Sequence, residues 1–475
     1  MNYTQKHSFS ANTPKIHNIP IDSSKKNLSE CPHTEDISSA LLGNREIDKR
    51  YENIFKKYSR KQTAQYALTV GNIGKIETYK KDGKSKLSKS EINGNLSFKK
   101  NLITINKSLC SCGRDVHFMN DSKIVDVKET NNTRRLKGLK SCGNNSACPV
   151  CASKLSAIRG NQLKQLMQVG RENQRSYMMI VTTIPHKPLE PLERTLNQVT
   201  YMSNYIFNSR QWKEFKKVSQ CTFVHGGLEN MVSFKNGLVD WHPHKNYLLD
   251  FEVEIQTVIK NLGLKNELDL RMYVSRMMTS IGQKYLKKEN VDKTLLAPYF
   301  EHQDSNNRTH VKGGVSASLE FDDGYIAKWG LEAEMTSSIY KDGRLNGSMH
   351  PFGLLDLIHE GNTEINQEQK YQCILAFQEF VVASKGKWWF YFGRGAIDHY
   401  NDYYQADIKV KKDEEELASL EDDGDIIYSL SHSEWLDFEP TPFKIGTALS
   451  LATRKDVIEY IFTEIETNRI KRTLE

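Results

Sequence analysis

The chain has 475 residues, a formal net charge of +7 and a hydrophobic content of 38%. This length can bury a large core and indicates about two or three domains. The sequence contains no run of about 18 apolar residues, and its first residues are polar, so we expect neither a membrane helix nor a signal peptide. We therefore expect a soluble, cytoplasmic protein whose cysteines are metal ligands rather than disulfides.

Positive charge is concentrated in the amino-terminal half of the chain. Between Lys99 and Arg159 there are twelve Lys and Arg residues against four Asp and Glu residues, whereas residues 413–425 are acidic. Such a basic segment favours a polyanionic partner, with solvated surface loops as the alternative interpretation. Residues 1–100 are polar and rich in lysine, and we expect them to be partly disordered.

Five of the eight cysteines lie between residues 110 and 151. Cys148 and Cys151 form a CxxC knuckle, a turn that places two sulfurs on one tetrahedral ion. The spacing predicts a structural Zn²⁺ ion bound by four thiolates: Cys112, Cys142, Cys148 and Cys151. Cys110 and His117 remain alternatives to Cys112 as the fourth ligand.

Several helices and strands are predicted after the knuckle. A helix follows it directly, with apolar positions at Leu155, Ile158 and Leu166 on one side. The β-branched and aromatic run at residues 177–184 predicts a buried strand, because such residues favour strands. Hydrophobic spacing then predicts amphipathic helices over residues 190–217 and 268–286.

Between these two helices, residues 221–251 predict a β-hairpin with its turn at Asn236-Gly237. With a two-residue turn, residues whose numbers sum to 473 lie opposite each other, so Glu229 faces His244. Side chains two residues apart on a strand share one face. The sequence therefore predicts a divalent-cation site on that face, formed by Glu229, His242, His244 and Asn246. Unconnected surface or core histidines are the alternative.

A second candidate for chemistry lies at residues 322–330. A short helix there places Tyr325 and Lys328 three residues apart on one face. The phenol of free tyrosine has a pKa of about 10, and a nearby ammonium favours the phenolate and also holds a phosphate oxygen. The alternative is an exposed helix pair without a catalytic role.

Residues 385–395 interleave aromatic side chains with Lys and Arg. This composition is typical of a platform on which single-stranded bases stack. A core strand with basic ends is an equal alternative.

In this order, the motifs resemble rolling-circle replication initiator (Rep) proteins of plasmids and phages, which belong to the HUH endonuclease superfamily. The resemblance covers about residues 110–440. It rests on these segments: Cys142-Gly143, Cys148-Pro149-Val150-Cys151, Ile180-Val181-Thr182-Thr183-Ile184-Pro185-His186, Trp241-His242-Pro243-His244-Lys245-Asn246, Tyr325-Ile326-Ala327-Lys328-Trp329-Gly330, Glu334-Met335-Thr336, Pro351-Phe352-Gly353-Leu354-Leu355 and Gly393-Arg394-Gly395.

The resemblance implies an α+β fold, in which an antiparallel sheet with helices on one face forms an HUH, ferredoxin-like nuclease core after a zinc-knuckle module. We divide the chain accordingly into a polar region (1–100), a zinc module (101–165), a nicking domain (166–365) and a carboxyl-terminal helical region with possible DNA contact (366–475).

The family's chemistry implies roles for particular residues. A bound Mg²⁺ or Mn²⁺ ion polarises the scissile phosphate of single-stranded DNA, and Tyr325 attacks it to leave a 5′-phosphotyrosine link, with Lys328 beside it. The same site rejoins strands at termination. Asp322 is a candidate to activate water, and Glu334 is another, because Phe321 stands where some relatives place the acid.

The implied partners are origin DNA, both double-stranded and single-stranded, and a host helicase and polymerase. The zinc module and the basic residues 134–137 are expected to recognise the double-stranded origin. The sequence indicates no membrane partner and does not specify an oligomeric state.

One position departs from the family pattern. Asn246 stands where the family has its last histidine, although an amide oxygen still ligates a hard cation. His244 is then the principal ligand, and His242 is a possible replacement for the lost one. Two alternative functions remain: a zinc-containing DNA-binding regulator whose catalytic residues have decayed, and a related HUH transposase.

Overall fold

The structure is a computed structural model that describes residues 51–70, 89–117, 123–130, 133–235, 237–291, 300–303, 309–312, 315–319, 347–359, 362–363, 365–412, 417 and 424–474. The helices are α1 (Glu52–Thr69), α2 (Lys89–Ser111), α3 (Pro149–Glu172), α4 (Leu192–Asn208), α5 (Arg210–Ser219), α6 (Ile255–Asn261), α7 (Glu267–Lys288), α8 (Gly353–Ile358), α9 (Gln367–Ala383), α10 (Ala396–Tyr404), α11 (His432–Phe438), α12 (Pro442–Ser450) and α13 (Arg454–Leu474). Within the described ranges, no helix combines the length and the apolar character that crossing a membrane requires.

The strands are β1 (Val125–Thr130), β2 (Thr133–Lys137), β3 (Ser176–Thr183), β4 (Cys221–Lys235), β5 (Leu238–Phe251), β6 (Phe300–Gln303), β7 (Thr309–Lys312), β8 (Val315–Leu319), β9 (Phe390–Tyr391) and β10 (Asp425–Leu430). They form a five-stranded sheet in the order β8-β3-β5-β4-β9, a three-stranded sheet in the order β10-β1-β2, and a β6-β7 pair. All the strand pairs are antiparallel. The predicted α+β class with an antiparallel sheet is confirmed.

Helices cover both faces of the five-stranded sheet. On β3, Met178 and Ile180 point into a core shared with α4 and α7. Tyr177 and Met179 alternate with them and point to the other face, where they pack against α3 and α10. The prediction of helices on one face is therefore wrong, because β3 is apolar on both of its faces and both must be covered.

The three-stranded sheet joins distant parts of the chain. β1 and β2 lie in the predicted zinc module, and β10 from the predicted carboxyl-terminal region pairs with β1. Nearby, Trp435 Nε1 on α11 donates to the carbonyl oxygen of Arg114 over 2.7 Å. Residues 366–475 thus contribute a strand to this sheet and β9 to the five-stranded sheet.

Most of the elements predicted between residues 149 and 288 are confirmed. The knuckle is followed by α3, the run at 177–184 is β3, and the pattern at 268–286 is α7. The single helix predicted at 190–217 is wrong: α4 and α5 are separated at Ser209. Ser209 is extended, and its side chain accepts a hydrogen bond from Trp212 N over 3.1 Å, so it ends one helix and caps the next.

A buried ionic network ties the far end of β5 to α10. Arg175 Nε donates to Asp250 Oδ1 over 2.8 Å, and both side chains are fully buried. Tyr400 Oη donates to Asp250 Oδ2 over 3.0 Å and lies 2.7 Å from Tyr177 Oη. Charges buried at this depth are tolerated only when they are paired and hydrogen-bonded, so the network depends on all of its members.

Candidate functional site

The β4–β5 hairpin has the predicted register. Glu229 pairs with His244, and the pairing continues to Lys235 opposite Leu238 beside the turn. Gly237 in the turn has a φ of +75°, a backbone conformation that glycine adopts without steric cost. The placement of Glu229 across from His244 is therefore confirmed.

Three predicted ligands occupy neighbouring positions on one face of this hairpin. His244 and Asn246 alternate along β5 and share a face, and Glu229 lies on the adjacent strand β4. We call Glu229, His244 and Asn246 the Glu229 site. Glu229 and Asn246 are buried, whereas His244 is half-buried.

The Asn246 amide is only partly satisfied. Its Nδ2 donates to Glu229 Oε2 over 3.3 Å, while its Oδ1 is buried without a hydrogen-bond partner. Leaving such an acceptor unsatisfied costs about 1–3 kcal/mol. A carboxylate, an amide oxygen with free lone pairs and an imidazole are groups that fit a divalent cation, so the donor set of the Glu229 site fits a hard metal ion.

The structure places His242 among a different set of groups. Its Nε2 lies 3.0 Å from Asp240 Oδ2 and 3.1 Å from Ser233 Oγ. Burial lowers the pKa of His242 to about 4; Asp240 opposes this shift and His186 adds to it. The ring is therefore neutral near pH 7, which is the form that ligates metals.

Two residues near His242 were missed as site residues. Asp240 Oδ1 lies 3.2 Å from His186 Nε2, and the rings of His186 and His242 meet edge to face with centroids 4.5 Å apart. Asp240 lies two residues before His242, so it shares the strand face of His242 and His244. The sequence alone could have indicated this residue. His186 is the last residue of the Thr-rich motif and follows β3. Only the tertiary structure places it beside β5.

The four predicted zinc ligands come together. Cys112 Sγ lies 3.8 Å from Cys148 Sγ and 3.5 Å from Cys151 Sγ, and Cys142 Sγ lies 3.6 Å from Cys151 Sγ. Four sulfurs at zinc–sulfur bonds of about 2.3 Å stand about 3.8 Å apart in a tetrahedron. The cluster can therefore hold a metal ion such as Zn²⁺.

The same geometry resolves the choice of the fourth ligand. Cys112 at the end of α2 is buried in the cluster, whereas Cys110 Sγ lies 3.6 Å from Asn106 Oδ1 instead. His117 does not belong to the cluster either. Cys112, which precedes a glycine as Cys142 does, supplies the fourth sulfur, as the paired Cys-Gly steps predict.

Lys61 on α1 is a functional residue that the sequence did not indicate. It is buried, and its ammonium donates to the carbonyl oxygen of Cys112. Burial lowers the pKa of Lys61, but the charges of the four cysteine sulfurs raise it, and the net shift is upward. Since four thiolates around Zn²⁺ leave a net negative charge, Lys61 compensates that charge from outside the ligand shell.

We expect Lys61→Met to accelerate zinc loss to a chelator by about 10-fold, because a buried compensating charge is removed while all four thiolates remain. The rate of zinc transfer to a chromogenic chelator measures this. Lys455→Met is the matched control, since Lys455 is exposed and lies on α13. An unchanged rate for Lys61→Met would assign Lys61 a packing role only.

Arg134 is not available to DNA, contrary to the expectation for residues 134–137. Its side chain is 2% exposed and its Nε donates to Glu129 Oε1 over 2.6 Å. The guanidinium also lies 4.2 Å from the centroid of the Tyr51 ring. Arg135 and Lys137 alternate with Arg134 on β2 and are half-buried, so only they can face a partner.

The aromatic segment at residues 385–395 contains both a core strand and an exposed aromatic side chain. Phe390 and Tyr391 form β9 at the edge of the five-stranded sheet, so this part is a core strand. Trp388, just before it, is 77% exposed. A single exposed indole is available for stacking.

The predicted catalytic residues Asp322, Tyr325 and Lys328 lie outside the described residues, as does Glu334. Comparison of the chain with protein-family models, with curated proteins and with solved structures finds no match.

Proposed function

We propose that this protein is a metal-dependent single-strand DNA endonuclease and strand transferase that initiates rolling-circle replication of a plasmid. It binds the origin, nicks one strand through Tyr325, and rejoins strands at termination. The observation that carries the proposal is the Glu229 site. There the hairpin register sets a carboxylate opposite an imidazole, with a buried amide oxygen that has no partner.

The Glu229 site would hold Mg²⁺ or Mn²⁺. A divalent ion bound there supplies polarisation of the scissile phosphate and stabilises the charge that develops on it. Glu229 is held in position by the β4–β5 pairing and by the bond from Asn246, so the site is preorganised on rigid strands. His244 is half-buried and would complete the ligand set beside the two buried residues.

In the nicking step, the phenolic oxygen of Tyr325 forms a bond to phosphorus while the bond from phosphorus to the 3′-oxygen breaks. The phenol loses its proton, and the 3′-oxygen takes one up as the strand's free hydroxyl. Lys328 stabilises the phenolate and a phosphate oxygen. The phosphotyrosine link retains the energy of the phosphodiester bond, so a 3′-hydroxyl at termination can attack it and rejoin the strand. Where hydrolysis ends the cycle instead, Asp322 activates the water.

Origin binding would use the zinc module and the exposed Trp388. Phosphate contacts from basic side chains supply most of the affinity and make it fall as salt rises, while an indole stacks on an unpaired base. Host helicase and polymerase then act on the nicked strand. The zinc cluster would hold the zinc module together where α2 and α3 meet.

A second candidate function is a zinc-containing DNA-binding regulator with a decayed site. The observation that favours it is the hydrogen bond from Asn246 Nδ2 to Glu229 Oε2, which partly satisfies the carboxylate without an ion. Such a protein would bind the origin but form no covalent link.

Covalent trapping separates these two functions. Full-length protein is incubated with Mn²⁺ and labelled single strands from the DNA around its own gene, and adducts are resolved by denaturing electrophoresis. We expect an adduct with the wild type, none with Tyr325→Phe, and about 10²–10³-fold less with Glu229→Gln, since an electrostatic stabiliser is lost. His432→Ala, an exposed site, is the control. Origin binding without any wild-type adduct would favour the regulator.

A further inference from the structure

We infer that His186, Asp240 and His242 form a second metal site, which binds a divalent transition-metal ion through two imidazoles and one carboxylate. The ligand atoms of these residues, which we call the Asp240 triad, all lie within 4.8 Å of one another. The triad shares no residue with the Glu229 site, and the proposed nicking function does not require it.

The distances within the triad suit a common ion. Asp240 Oδ1 is 3.2 Å from His186 Nε2, and Asp240 Oδ2 is 3.0 Å from His242 Nε2. Two ligands at metal bonds of about 2.1 Å stand about 3.0 Å apart at a right angle and about 3.4 Å apart at the tetrahedral angle. The rings are inclined by 79°, so their nitrogens approach the carboxylate from different directions.

The hydrogen bonding of His186 points to a cation. His186 Nδ1 lies 3.2 Å from the carbonyl oxygen of Ile184, an acceptor only, so Nδ1 carries the proton. Nε2 is then the ring nitrogen that faces Asp240 Oδ1, 3.2 Å away. A metal ion between the two atoms satisfies both, and a ligating histidine whose other nitrogen donates to a backbone carbonyl is the usual arrangement.

The carboxylate of Asp240 is fully buried, and its polar neighbours are two imidazole rings and one ammonium. Its charge is met by Lys235 Nζ, 2.5 Å from Oδ2, on a side chain that is 56% exposed. An exposed ammonium of this kind can be displaced into solvent by an ion of higher charge. His242 is 22% exposed, which leaves the ion a path from solvent.

The segment that carries His186 is held against β5. β3 ends at Thr183, opposite His244, and the chain continues along the free edge of β5 toward the turn. Leu189 N donates to the carbonyl oxygen of Val239 over 3.0 Å. His186 is thus placed over Asp240 before any ion arrives, which lowers the cost of binding.

Two imidazoles and a carboxylate suit Zn²⁺, Co²⁺, Mn²⁺ and Fe²⁺, and three protein ligands leave coordination positions open to water or phosphate. His242 and His244 are two residues apart on β5, about 7 Å along the strand. The ion in the Asp240 triad therefore lies beside the Glu229 site rather than in it.

Cobalt titration of the full-length protein, loaded with only one Zn²⁺ per chain to fill the cysteine cluster, tests the triad. The Glu229→Gln chain is the background, so that an ion in the Glu229 site does not contribute. We expect one Co²⁺ per chain, with visible d–d absorption and no sulfur-to-cobalt charge-transfer band. His186→Ala or Asp240→Asn, added to this background, should weaken binding at least about 100-fold, and His432→Ala should not change it.

Lys235→Met provides a test on a surface position that does not threaten folding. Because the ammonium competes with the ion for Asp240, its removal should tighten Co²⁺ binding about 10-fold. The inference is overturned if the Glu229→Gln chain binds no Co²⁺, or if folded His186→Ala and Lys235→Met chains bind it as the background does. Failure of nicking in the trapping assay, with Co²⁺ binding intact, would contradict the proposed function alone.

Discussion

Cys148→Ser is expected to release the structural zinc ion and unfold the region around it. Cys148 is fully buried, and its sulfur belongs to the four-sulfur cluster between α2, the loop after β2 and the start of α3. Structural zinc contributes on the order of 10–16 kcal/mol in zinc-finger peptides, and three sulfurs hold it far more weakly. The decrease in the free energy of unfolding should exceed that caused by any ordinary core substitution.

Metal analysis and thermal unfolding measure this effect together. Wild type should hold one Zn²⁺ ion in the cysteine cluster, and Cys148→Ser should lack that ion and lose its cooperative transition. Cys110→Ser is a matched control, since Cys110 lies two residues from Cys112 but contacts Asn106 rather than the cluster. Zinc retained by Cys148→Ser, or lost by Cys110→Ser, would contradict the assignment of ligands.

Asp250→Asn is expected to destabilise the protein by about 3–5 kcal/mol, because it leaves the guanidinium of Arg175 buried without a counter-charge. Arg175 and Asp250 are both fully buried, and Tyr400 on α10 also donates to Asp250. Asparagine preserves the shape, so lost charge rather than a cavity causes the effect. The pair joins the start of β3 to β5, and Tyr400 ties α10 to the same carboxylate, so these elements should loosen.

Urea unfolding with and without the substitution measures the change. Asp407→Asn is the control: Asp407 is also an ion-paired aspartate, 3.4 Å from Lys409, but its side chain is 80% exposed. Exposed pairs contribute about 0–1 kcal/mol, so this variant should unfold close to wild type. Equal midpoints for Asp250→Asn and wild type would show that the buried pair is dispensable.

Local patterns were sufficient to predict the hairpin and most of the zinc cluster. The Asn-Gly turn sets the register that places Glu229 opposite His244, and strand alternation adds Asn246 to the same face. Cys148 and Cys151 are three residues apart, so their convergence needs only one turn of backbone. These features depend on neighbours in sequence, which is why sequence reasoning found them.

The features that were missed depend on contacts between distant segments. Lys61 reaches the cysteines from α1, and His186 reaches Asp240 from the loop after β3. Arg134 belongs to a basic run, but it is buried over the Tyr51 ring and donates to the carbonyl oxygen of Leu451, both from distant parts of the chain. No spacing rule specifies such pairings, because tertiary packing decides them.

The most direct test of the proposed function is peptide mapping of the covalent adduct. Full-length protein is trapped with Mn²⁺ on single-stranded DNA from its own origin, digested with nuclease and protease, and examined by mass spectrometry. We expect a nucleotide attached through its 5′-phosphate to the peptide that contains Tyr325, and no such peptide after chelation of the metal ion. Attachment at another residue, or no adduct on any strand of the origin, would contradict the account.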